Sequence, residues 1–171
     1  MPERAGAGGW TRPELTGDLA GGTARDVVTW PDPRLRVRCE PVGVLDGPAL
    51  RALAADLLAT MYHAGGRGLA APQIGVARRV FVMDAGWKDG APEPLVLCDP
   101  EILVRSPETA TAAEQCLSIP GRPVAVTRAL RIGIAWYDLD GRHHLRDMEG
   151  SPARIAQHEA DHLDGLLIVK D

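Results

Sequence analysis

One helix, with both of its ends written into the sequence, constrains this chain more than any other feature: Ser151 to Leu163. Ser151 suits the N-cap, Pro152 the first helical position, where a missing N–H loses no bond, and Gly165 the left-handed residue that terminates a helix. Between these signals His158-Glu159-Ala160-Asp161-His162 spells H-E-x-x-H. A spacing of four sets both imidazoles on one helix face, able to converge on a single ion, with Glu159 beside the ion rather than on it. Two histidines do not complete a site, so a third ligand has to come from elsewhere.

The upstream sequence predicts one further helix and a series of short strands. From Asp46, Leu50, Leu53, Ala54, Leu57, Leu58 and Met61 share one helical face, with Pro48 in the first turn and Gly65 at the end. β-rich runs follow at Arg79 to Met83, Leu95 to Asp99, Ile102 to Arg105, Val124 to Thr127 and Leu130 to Tyr137. Asp138-Leu139-Asp140-Gly141 joins the last of these to His143 through Asp147 as an antiparallel hairpin. Strands ahead of a closing helix make an α+β domain, with short antiparallel sheets wrapped around the H-E-x-x-H helix. Residues 1–25 are rich in Gly and lack apolar periodicity, which predicts a flexible or loosely docked arm; residues 26–171 are expected to form a single catalytic domain. At 171 residues, 45% of them hydrophobic, that domain has enough apolar material for its own core, and a monomer is expected.

Charge and cysteine usage narrow the function classes. A net charge of −4 with acids and bases interspersed offers no basic stripe for nucleic acid. Cys39, Cys98 and Cys116 are odd in number and contain no C-x-x-C, which suits a reducing cytoplasm. The first 25 residues have no apolar core of a signal peptide, and no run is long enough to span a bilayer. The expectation is a cytoplasmic enzyme with neither membrane nor nucleic acid as partner.

Neither Glu, His nor Cys follows His162, so the third ligand is expected upstream. Cys116, Cys98, Cys39, His63, His143 and His144 qualify. Cys116 stands out because Glu114-Gln115-Cys116-Leu117-Ser118-Ile119-Pro120 is an extended segment that can lie beside a helix and deliver a thiolate. Cys39 and Cys98 read as small core residues. His143 and His144 point to opposite faces of one strand, so at most one can reach a site.

Three motifs in order resemble the bacterial and organellar peptide deformylases. The family's G-x-G-L-A-A-P-Q stands here as Gly66 to Gln73, its E-G-C-L-S as Glu114 to Ser118, and its Q-H-E-x-D-H as Gln157 to His162. The similarity runs from about Val27 to Val169. It implies that Cys116, His158 and His162 hold one divalent ion, usually Fe²⁺, with Zn²⁺, Ni²⁺ and Co²⁺ also compatible with this ligand set. It implies that Glu159 is the general acid/base, that the Gln73 amide and the Leu117 N–H stabilise the oxyanion, and that Gly66, Gly68, Gln115 and Ile155 contact substrate. The implied reaction removes the formyl group from formyl-methionyl N-termini of nascent proteins and releases formate. Glu114 paired with Arg128 is expected to support the ligands.

Gln115 departs from the family, which usually has Gly there. A position requiring φ > 0 would strain it; otherwise its side chain narrows or polarises the cleft. That residue motivates an alternative, a specialised or inactive relative acting on another formylated amine. A zinc endopeptidase is the other rival, suggested by H-E-x-x-H alone. The C-terminal helix carried by many bacterial members is not expected here.

Overall fold

The computed structural model describes residues 4–5, 9–44 and 47–170. Met1 to Glu3 and residues 6–8 of the expected arm, and Asp46 at the expected start of the first helix, lie outside the described residues. Helix α1, Gly47–His63, buries Leu53, Ala54, Leu57, Leu58 and Met61 along the face that their spacing defines. It ends at Gly65, whose φ of 72° takes the chain into the left-handed turn.

The chain opens with a two-stranded pair, β1 (Arg4–Ala5) and β2 (Trp10–Thr11). A five-stranded antiparallel sheet then runs in the order β3 (Gly68–Ala70), β4 (Val80–Met83), β5 (Leu95–Arg105), β8 (Arg131–Tyr137), β9 (His143–Glu149). Strands β6 (Thr109–Cys116) and β7 (Ile119–Ala129) form a separate two-stranded ribbon. Helix α2, Ser151–Leu163, lies across both. β4 is buried on both faces: Val80 and Val82 join the cluster under α1, while Phe81 and Met83 join Ala153, Ala156 and Leu163 of α2. The period of two along β4 thus sandwiches the sheet between the two helices. Leu57, Leu58, Leu97, Ile134 and Leu163 are fully buried, and each such side chain contributes about 1.5–3 kcal/mol.

The architecture is the expected α+β, with local differences. The runs expected at Leu95 and Ile102 are one strand, which passes Asp99-Pro100 by a register shift between Cys98 and Glu101. Asp99 takes φ 46° there, and its carboxylate accepts the Val42 N–H at 3.0 Å. Ser151 is not the N-cap of α2. Gly150 holds that position at φ 64°, ψ −134°, a conformation open to glycine, so Ser151 becomes the first helical residue. The described part of the segment expected as an arm follows α1: Leu15 and Leu19 pack against its core cluster, and Asp56 accepts the Thr23 N–H at 2.8 Å and an ion pair from Arg25.

Candidate metal centre

Helix α2 places His158 and His162 one turn apart on its buried face, and the end of β6 brings Cys116 against them. One ligand atom from each of the three lies within 4.8 Å of the others, with Cys116 Sγ 3.4 Å from His162 Nε2. For metal arms of about 2.3 Å to sulfur and 2.1 Å to nitrogen, a tetrahedral S···N edge is about 3.6 Å, so this thiolate-imidazole set fits a divalent ion. The remaining candidates go elsewhere. Cys39 and Cys98 are buried in the apolar clusters, and burial pushes the Cys98 thiol up to about 12. His63 is exposed at the end of α1. His144 stacks on Trp136 and pairs with Asp138, and His143 packs on Tyr137.

Glu114, two residues before Cys116, is the hub behind the ligands. It is 7% exposed, and its carboxylate bonds His158 Nδ1 at 2.8 Å, accepts two bonds from Arg128 at 3.0 Å, and one from Arg154 at 2.6 Å. Burial opposes its charge, but the hydrogen bonds from His158 and Arg128 outweigh it and hold the carboxyl down at about 2. Engaging Nδ1 fixes the ring of His158 and leaves its Nε2 facing the ligand cluster. Burial disfavours charge on both imidazoles; the bonds to Cys116 and Glu114 work the other way at His158, whereas nothing offsets burial at His162.

Glu159 faces the other side of the cluster. Burial pushes its carboxyl up to about 7, and Oε2 is buried without a hydrogen-bond partner among the described residues. A carboxylate near neutral pKa with an open acceptor suits proton transfer. Gly68 lies directly above it: a Cβ there would sit 2.6 Å from Glu159 Oε1. The glycine is therefore required by close approach to this carboxylate. Gly66 likewise has Leu117 against it, where a Cβ would meet Leu117 Cδ1 at 2.7 Å.

Gln73 is buried in the turn after β3. Its Oε1 accepts the Ala70 N–H at 2.9 Å, which aims Nε2 at Ser118 Oγ (3.0 Å) and Cys116 Sγ (3.7 Å). Leu117 occupies the turn between β6 and β7, next to the cysteine. Gln73, Cys116 and Leu117 line a cleft of about 620 Å³ with Gly66, Gly68, Gln115, Ile155, His158 and Glu159. Gln115 is exposed on the cleft wall where the ribbon shifts register between Glu114 and Cys116, and its φ is not positive, so the backbone strain considered from sequence does not arise.

Sequence reasoning missed Arg154, Ser118 and Asp161. Arg154 bonds the Ala110 and Val126 carbonyls as well as Glu114, tying α2 to the ribbon. Its signal was its place four residues before His158, on the same helix face. Asp161 pairs with Arg128, and Ser118 fixes the Gln73 amide.

An α+β frame whose closing helix carries two histidines and a glutamate, with a cysteine supplied by a β-ribbon, defines a metal-dependent hydrolase. The profile of the polypeptide deformylase family matches residues 24–171. The chain is 51% identical over 144 residues to a peptide deformylase from Alkalilimnicola ehrlichii, covering 84% of this chain and 79% of that protein. The crystal structure of the peptide deformylase from Thermotoga maritima superposes with a TM-score of 0.80 at 40% identity, over 85% of this chain and 95% of that one. A Met-Ala-Ser-bound deformylase from Acinetobacter baumannii gives 0.79 at 34% identity, over 86% and 97%. The chain belongs to the polypeptide deformylase family, hydrolases that remove the N-formyl group from nascent peptides.

Proposed function

We propose that Cys116, His158 and His162 hold one divalent ion, Fe²⁺ as the family resemblance implies, and that residues 26–171 act as a monomeric catalytic domain on formyl-methionyl peptides in the cytoplasm. Zn²⁺, Ni²⁺ and Co²⁺ suit the same sulfur and nitrogen donors. No described helix is long and apolar enough to cross a membrane. The observation that carries the reading is the three-ligand cluster with a buried Glu159 beside it, its Oε2 open among the described residues.

When bound, the ion supplies a Lewis acid that acidifies a water molecule and polarises the formyl carbonyl. Glu159 accepts the proton of the attacking water at its open oxygen and returns it to the amine nitrogen as the C–N bond breaks, leaving formate and a free N-terminus. The Gln73 Nε2–H and the Leu117 N–H are the donors for the oxygen that gains charge; the Ala70 N–H orients the amide in advance, so little reorganisation is needed. Glu114 keeps the ring of His158 in place. Gly66, Gly68, Gln115 and Ile155 form the walls along which the peptide lies.

The test is formate release from formyl-Met-Ala-Ser by protein stripped with chelator and reloaded with Fe²⁺ without oxygen, or with Zn²⁺, Ni²⁺ or Co²⁺. Formate release that requires metal is expected. Cleavage of casein without formate release would replace this reading with an endopeptidase.

A further inference from the structure

The mouth of the cleft is cationic although the chain as a whole carries −4. Among the described residues lining it, the carboxylates are Glu114 and Glu159, both buried at its centre, whereas Arg67 and Lys88 stand on the β3 side. Arg67 occupies the open position of the G-x-G motif. Its Nε is buried without a hydrogen-bond partner among the described residues, and its ion pair, to the well-exposed Asp89, is a long one of 3.7 Å. Lys88 has no carboxylate within ion-pair distance among the described residues. Instead its Nζ lies 4.1 Å from the centre of the Trp10 ring, which stands edge-on to Trp87 at 6.2 Å. Burial and the neighbouring Arg67 charge disfavour the Lys88 ammonium, and the Asp89 carboxylate offsets them only in part. Two cations side by side at a cleft mouth repel each other, and an incoming anion relieves that repulsion. Trp10 lies ahead of residue 24, where the family match begins.

We propose that Trp10, Arg67 and Lys88 form an anionic subsite at the cleft mouth, selecting formylated peptides with acidic side chains downstream of the formylated residue. The proposal rests on the deformylase reading above. Trp10 acts as a platform: its ring face pins the ammonium by cation–π attraction, so less side-chain freedom is lost when a carboxylate arrives. Arg67, whose half-exposed guanidinium end makes only the long pair to Asp89 among the described residues, adds its terminal N–H donors to the same anion.

The experiment compares kcat/KM for formyl-Met-Asp-Asp amide and formyl-Met-Asn-Asn amide, nearly isosteric peptides whose amidated ends leave the Asp side chains as the difference in charge. At low ionic strength the acidic peptide should be preferred by about threefold to fivefold, the upper part of the range for an exposed ion pair, and the preference should fall toward one at about 0.5 M NaCl. K88M and R67M should each reduce the ratio, the double variant should abolish it, and W10A should weaken it without changing any charge. Formate from neither peptide would sink the deformylase reading itself. Formate from both with equal kcat/KM, or a preference that survives in the double variant, would overturn the subsite alone. So would a gain confined to a free C-terminal carboxylate on the neutral peptide.

Discussion

Exchanging Glu114 for Gln removes one negative charge from a buried carboxylate that holds His158, Arg128 and Arg154 together. Gln keeps the shape, but its NH₂ group must face guanidinium donors where an oxygen accepted before, leaving positive charge poorly compensated. The displacement of the Glu114 carboxyl from an ordinary 4.5 to about 2 corresponds to roughly 3 kcal/mol of stability at neutral pH. Because the folded-state value is the lower one, this contribution is complete above the unfolded value near 4.5 and is lost as pH falls toward 2. Urea unfolding of wild type and E114Q should therefore differ by about 3 kcal/mol at pH 7, with less than half of that left at roughly pH 3. Freed of its carboxylate, the ring of His158 should also bind Zn²⁺ about 10–100-fold more weakly in a chelator competition. A stability difference below about 1 kcal/mol at pH 7, or one that does not change with pH, would refute the account of Glu114 as the hub.

Cys116→Ala should lose stoichiometric metal and activity together while keeping its fold, because two imidazoles on one helix retain an ion poorly; elemental analysis and circular dichroism decide it, and a full equivalent of tightly held metal would exclude the ligand assignment. Glu159→Gln should keep the metal but lower kcat by at least about two orders of magnitude, since an amide cannot shuttle a proton; near-normal turnover at pH 7 would end the proton-transfer role. Gly68→Ala drives a methyl group into the Glu159 carboxylate, so kcat should drop by about tenfold or more with metal content unchanged; a change confined to KM would show that the glycine serves substrate contact alone.

Helix α2 was legible because its signals are local: proline near the start, glycine after the end, and two histidines at a spacing that only a helix makes useful. The misplaced N-cap has the same origin, since a composition rule prefers Ser151, whereas Gly150 accepts the turn out of β9 with φ 64°. β5 was read as two strands because Pro100 interrupts the pattern. What carries the strand past it is tertiary, the bond from the Val42 N–H to Asp99. Leu15 and Leu19 are too sparse to form a period, yet packing on α1 needs only their positions in space. The residues of the centre emerged from motifs, but Arg154, Ser118 and Asp161 act through partners 33 to 45 positions away. No pattern along the chain records such pairings.

The β6–β7 ribbon is fastened to the rest of the molecule largely by polar ties. Arg154 reaches two of its carbonyls, Gln157 bonds both the N–H and the carbonyl of Ala129, and Arg128 pairs with Asp161, while the apolar cluster at its tip is built on Cys116, Ile119 and Val169. Added salt weakens exposed ion pairs, but pairs as buried as Arg128–Glu114 are screened much less. With so small an apolar cluster of its own, the ribbon is expected to open at lower free energy than the sheet sandwiched between the helices, which amide hydrogen exchange would test. Ribbon amides are expected to exchange through a partial opening that carries Cys116 away from α2, and amides of β4 and of β5 up to Cys98 only through global unfolding. Because Cys116 ends β6, such an opening would set how long the three ligand residues stay assembled.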